Sequence, residues 1–278
     1  MNRKHDESSG ESRSGFKVEA VHFPDGADCL FPADGVKAHC YRPTQSKRGR
    51  ERAGVVVLPI TAGDYEVSTM LTVYLARQGF TCLRMERRAE WLAPERTVED
   101  LARLARQTPL DVGAGVDWFI ENGGFDPDRL GVLGVSMGAM QASILAGTDP
   151  RVKAAVLVIG GAGLADLLLT ADDDFINEYR EAVSNRLGIP ESDLGPVLHE
   201  ALDPMDNAKP AGGMNPDTTL MFSALFDRVV RPRYGRRLWE AAGRPRRILL
   251  PCGHYSAEFF VPLILWMARR WFDRHLLD

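Results

Sequence analysis

Leu130-Gly-Val-Leu-Gly-Val-Ser-Met-Gly-Ala-Met140 decides how this chain folds. Its first half is a short apolar run without polar interruption, the pattern of a strand covered on both faces, and residues 137–146 read as a helix. Between them lies Gly134-Val135-Ser136-Met137-Gly138. At a sharp strand-to-helix turn the two glycines remove side chains that would collide, and Ser136 Oγ is pushed out above the sheet. The N–H of Met137 then opens the helix, where unpaired donors and the helix dipole favour a developing oxyanion. A G-x-S-x-G string alone describes many Gly-rich turns with a capping serine. The strand before it and the helix after it carry the argument.

Outward from this turn, strand and helix patterns alternate. Gly54-Val-Val-Val-Leu58 is a β-branched run that starts a parallel sheet, and a helical pattern over 67–78, Gly79 and a strand over 80–85 complete a β-α-β unit. Thr97-Val-Glu-Asp100 supplies an N-cap with an acid three residues later and opens a helix toward Arg106, after which Pro109 is expected to start a second helical stretch to residue 122. Residues 152–159, 219–225 and 247–250 read as further strands, with helices over 234–242 and 256–277. Residues 16–23 and 36–41 alternate partially and are expected to form an antiparallel pair at one edge. Between 162 and 216 the rhythm breaks into helical patterns (164–169, 175–187, 194–201) with no clear strand, read as an inserted helical cap. The expected class is α/β, a mostly parallel central sheet with helices on both faces and that cap.

With 278 residues and 45% hydrophobic content, one large α/β domain over 16–278 is expected. Residues 1–15 are Ser-, Glu- and Arg-rich without an apolar core, which reads as a disordered tail and not a signal peptide. A net charge of −4, from 34 basic and 38 acidic residues, gives no footprint for nucleic acid or an anionic membrane. The longest apolar stretch, 259–268, falls short of the roughly 20 residues a transmembrane helix needs. Cys29, Cys40, Cys82 and Cys252 have no C-x-x-C spacing, so reduced and mostly buried thiols in a cytoplasmic protein are expected. No repeat is visible, and the oligomeric state is left open.

A serine hydroxyl is a weak nucleophile near neutral pH and requires a base. His254 follows the last strand in Leu249-Leu-Pro-Cys-Gly-His254, at a carboxyl strand end, where sites of open α/β sheets gather. His5 lies in the tail, His22 and His39 in the amino-terminal strands, His199 in the cap and His275 at the end of the terminal helix, all read as structural or solvated. Asp227 stands just beyond Leu220-Met-Phe-Ser-Ala-Leu-Phe226, placed to fix the His254 tautomer, and Asp166 is the competing acid. The order Ser, Asp, His favours Asp227. Asp172, Asp173 and Asp174 read as a solvated charge run. A second oxyanion donor is expected in Leu58-Pro-Ile-Thr-Ala-Gly63, where Pro59 has no N–H and Ile60 or Thr61 is left.

In Gly131-Val-Leu-Gly-Val-Ser-Met-Gly138, Phe226-Asp-Arg-Val-Val-Arg-Pro232 and Pro251-Cys-Gly-His-Tyr255 the chain resembles the α/β-hydrolase superfamily, with its nucleophile, acid and histidine motifs in order. The likeness runs from about Phe16 to the carboxyl terminus. Asp203-Pro-Met-Asp-Asn-Ala208 and Leu238-Trp-Glu-Ala-Ala-Gly243 make it closest to poorly characterised bacterial hydrolases. The resemblance implies acyl transfer to water without metal or cofactor: Ser136 attacks, His254 takes its proton, Asp227 orients His254, and Met137 and Thr61 amides hold the oxyanion. Thr61 is preferred to Ile60 as the third residue of the family's His-Gly-x loop, although Pro59 and Ile60 replace His-Gly here. The expected substrate is a small-molecule carboxylic ester, with Leu164, Leu167, Leu168 and Leu169 of the cap offering an apolar pocket centred on Leu164 and Leu168. Peptidase, amidase or thioesterase action on the same triad, or a catalytically silent binding protein, are the alternatives.

Overall fold

The computed structural model describes residues 15–45, 47–61 and 65–277. The expected tail, apart from Gly15, lies outside the described residues. In chain order the elements are β1 (Phe16–Phe23), β2 (Val36–Pro43), β3 (Gly54–Leu58), α1 (Glu66–Gln78), β4 (Thr81–Met85), α2 (Val98–Asn122), β5 (Leu130–Val135), α3 (Met137–Thr148) and β6 (Val152–Val158). There follow α4 (Leu164–Thr170), α5 (Asp174–Leu187), α6 (Leu194–Leu202), α7 (Ala208–Ala211), β7 (Thr219–Ala224), α8 (Pro232–Ala241), β8 (Arg246–Leu250) and α9 (Val261–Phe272).

The strands form one sheet in the order β1-β2-β4-β3-β5-β6-β7-β8. β1 pairs antiparallel with β2 and β2 with β4, and every pairing from β4 to β8 is parallel. Successive side chains of a strand point to opposite faces, so the β-branched runs feed two cores at once. Val55, Val57, Leu133 and Val156 face α1 and α9. Val56, Leu58, Val132 and Leu157 pack with residues of α2, α3 and α8 on the other face. Each such side chain, fully buried, is worth about 1.5–3 kcal/mol, which is why uninterrupted apolar runs become central strands.

Two sequence expectations are corrected. Pro109 does not begin a new helix but sits inside the continuous α2. Its ring removes one backbone donor, yet Leu101, Leu104, Val112 and Val116 bury one face of the whole helix, and tertiary packing overrides the local breaker. Thr108 Oγ1 donates to the Leu104 carbonyl at 2.8 Å beside it. The terminal stretch is not a single α-helix: Tyr255–Phe260 is a 3₁₀ turn, α9 starts beside Pro262, and Asp273–Leu277 is π-helical. Pro262 has no N–H for a continuing ladder and is instead tolerated in the first turn of α9.

All four cysteines are free, three of them buried. Burial pushes the Cys40 thiol up to about 12 and Cys82 well above the ordinary range, so both stay protonated and inert. Among the described residues no helix is long and apolar enough to cross a membrane.

Candidate active site

β5 ends at Val135, and the chain reverses into α3 through Ser136, whose N–H donates to the Val158 carbonyl at 2.9 Å. Ser136 has φ 53° and ψ −117°, a conformation costing a non-glycine residue about 1–3 kcal/mol. The flanking glycines make it attainable. A Cβ at Gly134 would lie 2.0 Å from the Gly138 carbonyl oxygen, and one at Gly138 would lie 2.5 Å from that of Leu58. Larger residues would force the turn apart and retract Ser136 from the carboxyl edge of the sheet.

Ser136 Oγ lies 3.1 Å from His254 Nε2, and His254 Nδ1 lies 2.8 Å from Asp227 Oδ2. Asp227, 4% exposed, also accepts the backbone N–H groups of Val229 and Val230 on Oδ1 at 2.9 and 2.8 Å. A carboxylate held from both oxygens presents one fixed lone pair to His254. Asp166 is placed elsewhere, paired with Arg237 at 3.2 Å and lying 3.5 Å from His199. Of the remaining histidines, His22 contacts the Asp34 carbonyl, His39 contacts Arg84 and Glu86, His275 stacks near Trp271, and His5 lies outside the described residues. Cys252 is no rival nucleophile, since burial and then the Asp227 charge raise its pKa.

Because Gly138 packs against the Leu58 and Pro59 carbonyls, the loop after β3 runs beside the amino end of α3. Met137 N is the first amide of that helix, without an intrahelical acceptor. Thr61 is half-buried further along the same loop, and Ala62 and Gly63 lie outside the described residues. Arg87, whose guanidinium lies over the Tyr65 ring, donates to the Ile60 carbonyl at 3.3 Å and ties the loop to the segment after β4. Sequence reasoning missed Arg87, and no spacing marks it.

Leu164 and Leu168, expected at the centre of an apolar pocket, are both buried. Leu168 is 1% exposed, and both belong to an apolar cluster with Leu104, Met137, Met140, Tyr179 and Tyr234. Four leucines within six residues of one short helix satisfy a core as readily as a pocket; here Leu164, Leu167 and Leu168 are buried in the cluster and Leu169 is partly buried against it. The acidic run after α4 is also more than a solvated face. Asp172 N–H donates to the Arg228 carbonyl at 2.9 Å, and the Tyr255 hydroxyl donates to Asp173 Oδ2. The run is therefore fastened to the residues that directly follow Asp227 and His254. Tyr255 also meets His254 edge to face, with centroids 5.6 Å apart. No group of three or more His, Cys, Asp or Glu among the described residues is arranged to hold a metal ion.

A family model described as the prolyl oligopeptidase family matches residues 96–242, spanning the serine and the acid. No curated protein sequence matches the chain. An acetyl xylan esterase from Paenibacillus is similar at TM-score 0.72 and 18% identity, covering 97% of this chain and 87% of that one. An α/β hydrolase from Penicillium gives 0.65 and 17%, covering 94% of this chain and 99% of that one. A puromycin-hydrolyzing peptidase from Mycobacterium tuberculosis gives 0.66 and 18%, covering 94% of this chain and 39% of that one. At these identities the likeness concerns the fold, which is that of the α/β hydrolases.

Proposed function

Because this chain belongs to the prolyl oligopeptidase family of α/β-fold serine hydrolases, we propose that it cleaves a carboxylic ester through Ser136, His254 and Asp227. The observation that carries this reading is the continuous contact from Ser136 Oγ through His254 to a buried Asp227, at 3.1 and 2.8 Å. Ser136 Oγ attacks the acyl carbon while His254 Nε2 takes its proton. Asp227 keeps Nδ1 protonated and stabilises the imidazolium that forms. The oxyanion is held by the Met137 and Thr61 amides, each donor of this kind commonly contributing about 3–4 kcal/mol in the transition state. His254 then protonates the leaving alkoxide, takes a proton from the incoming water, and returns it to Ser136 as the acyl-enzyme breaks down.

An ester is preferred because the fold's similarity extends over most of the length of an acetyl xylan esterase. Cleavage of peptides or amides is the second reading, favoured by the family model and by the likeness to a puromycin-hydrolyzing peptidase. The two are separated by kcat/KM on matched ester, amide and thioester substrates of graded acyl length. Activity on amides exceeding that on matched esters would move the assignment to the peptidase reading. Absence of both turnover and fluorophosphonate labelling would leave a silent binding protein.

A further inference from the structure

α9 buries Ile264, Leu265, Ala268, Trp271 and Phe272 against the sheet, as a surface helix should. Its opposite side is not polar. Leu263 and Trp266 are 40% and 49% exposed, and Phe259, just ahead of the helix, is 77% exposed. Leu263, Trp266 and Arg270 follow one another at helical spacing, so the apolar stripe runs into a cation. Arg270 lies over the Trp266 ring at 5.0 Å.

At the basic end of the stripe opens a cleft of about 510 Å³ lined by Arg48, Arg246, Trp266, Arg270 and Arg274 among others. These four arginines are exposed, and none has a carboxylate partner among the described residues. Asp273, the carboxylate in the cleft, is already held by Arg50 and Arg269. The only other acid on described residues 256–277 is Glu258, at the far end of the stripe. A chain of net charge −4 thus gathers uncompensated positive charge beside its exposed aromatic stripe.

We propose that this face is a docking surface for an anionic lipid bilayer, with Phe259, Leu263 and Trp266 entering the interface and Arg48, Arg246, Arg270 and Arg274 meeting acidic headgroups. Exposed Trp, Phe and Leu on one side of a helix, with arginines beside them, is the chemistry of a segment lying in a membrane surface and not across it. A second copy of the chain fits less well, since the same face offers one free carboxylate, Glu258, to four arginines, whereas an anionic bilayer supplies a headgroup to each. The docking does not rest on the serine chemistry.

Cosedimentation of Ser136→Ala protein with vesicles of phosphatidylglycerol and phosphatidylcholine in equal parts, against phosphatidylcholine alone, tests it without hydrolysis. Binding to the anionic vesicles, weakened by salt, is expected, with little binding to the neutral ones. Replacing Arg270 or Arg274 by Gln should lower partitioning about fivefold each, as expected for a basic side chain near an anionic surface. Trp266→Ser should lower it as well, circular dichroism showing the fold retained. Absent binding at low salt, equal binding to both vesicle types, or arginine variants that bind like the parent overturns the proposal. So does tighter binding to a duplex DNA oligomer, or a dimer in solution that Trp266→Ser dissolves without vesicle binding. Loss of ester cleavage by the wild type would sink the proposed function and leave this result untouched.

Discussion

Asp166, in the first turn of α4, is paired with Arg237 at 3.2 Å, while the carboxylate that meets His254 Nδ1, at 2.8 Å, is that of Asp227. Asp227→Asn should therefore lower kcat by a factor on the order of 10⁴, the loss expected when the histidine tautomer is no longer fixed. Asp166→Asn removes a largely exposed pair worth about 0–1 kcal/mol and should leave kcat within about threefold of wild type. Steady-state kinetics on one ester, with Tm measured alongside, decides the matter. The reverse ranking would transfer the acid's role to Asp166.

Ser136→Ala keeps the Cβ and the positive φ, so the turn should form as before and Tm should shift little. Labelling by a fluorophosphonate probe should vanish. Full labelling of a folded Ser136→Ala protein would place the nucleophile elsewhere.

Leu168→Ala should destabilise the protein by about 2–5 kcal/mol in urea unfolding, because it empties a site 1% exposed in an apolar cluster. The acyl-length preference should not change. A shifted preference at unaltered stability would return Leu168 to the pocket.

Partial burial and the Asp173 carboxylate push the Tyr255 phenol from its ordinary value of 10.0 to about 12. A folded pKa raised above the unfolded one means that the contact contributes fully below pH 10 and is lost as pH rises toward 12. The Tm difference between wild type and Tyr255→Phe should accordingly be constant below pH 10 and shrink between pH 10 and 12. A difference unaltered across that range would show that the hydroxyl bond contributes nothing to stability.

The central strands and the serine turn were legible because both depend on local pattern. Val55 to Leu58 and Leu130 to Leu133 are apolar at every position or interrupted only by glycine, and Gly134 and Gly138 stand where side chains would collide. Asp227 and His254 were legible from order, each following a strand. What spacing could not give is contact across the chain. Asp173 and Tyr255 meet over a separation of 82 residues, and nothing near either announces the other. Helical leucines carry no mark of whether they face a core or a cleft, so the 1% exposure of Leu168 was not legible in its spacing. The summed charge likewise hid Arg246, Arg270 and Arg274, since distant acids cancel them in the total but not in space.

The apolar cluster beneath the insertion draws Leu168, Tyr179 and Leu198 from one side and Leu101, Met140 and Val230 from the other. Swinging the segment 162–216 clear would strip water-averse surface from both partners together, so it is expected to melt with the sheet and not ahead of it. Heat should take the whole molecule through one cooperative transition, with calorimetric and van't Hoff enthalpies equal. Excising the segment should yield an aggregating sheet and not a trimmed enzyme.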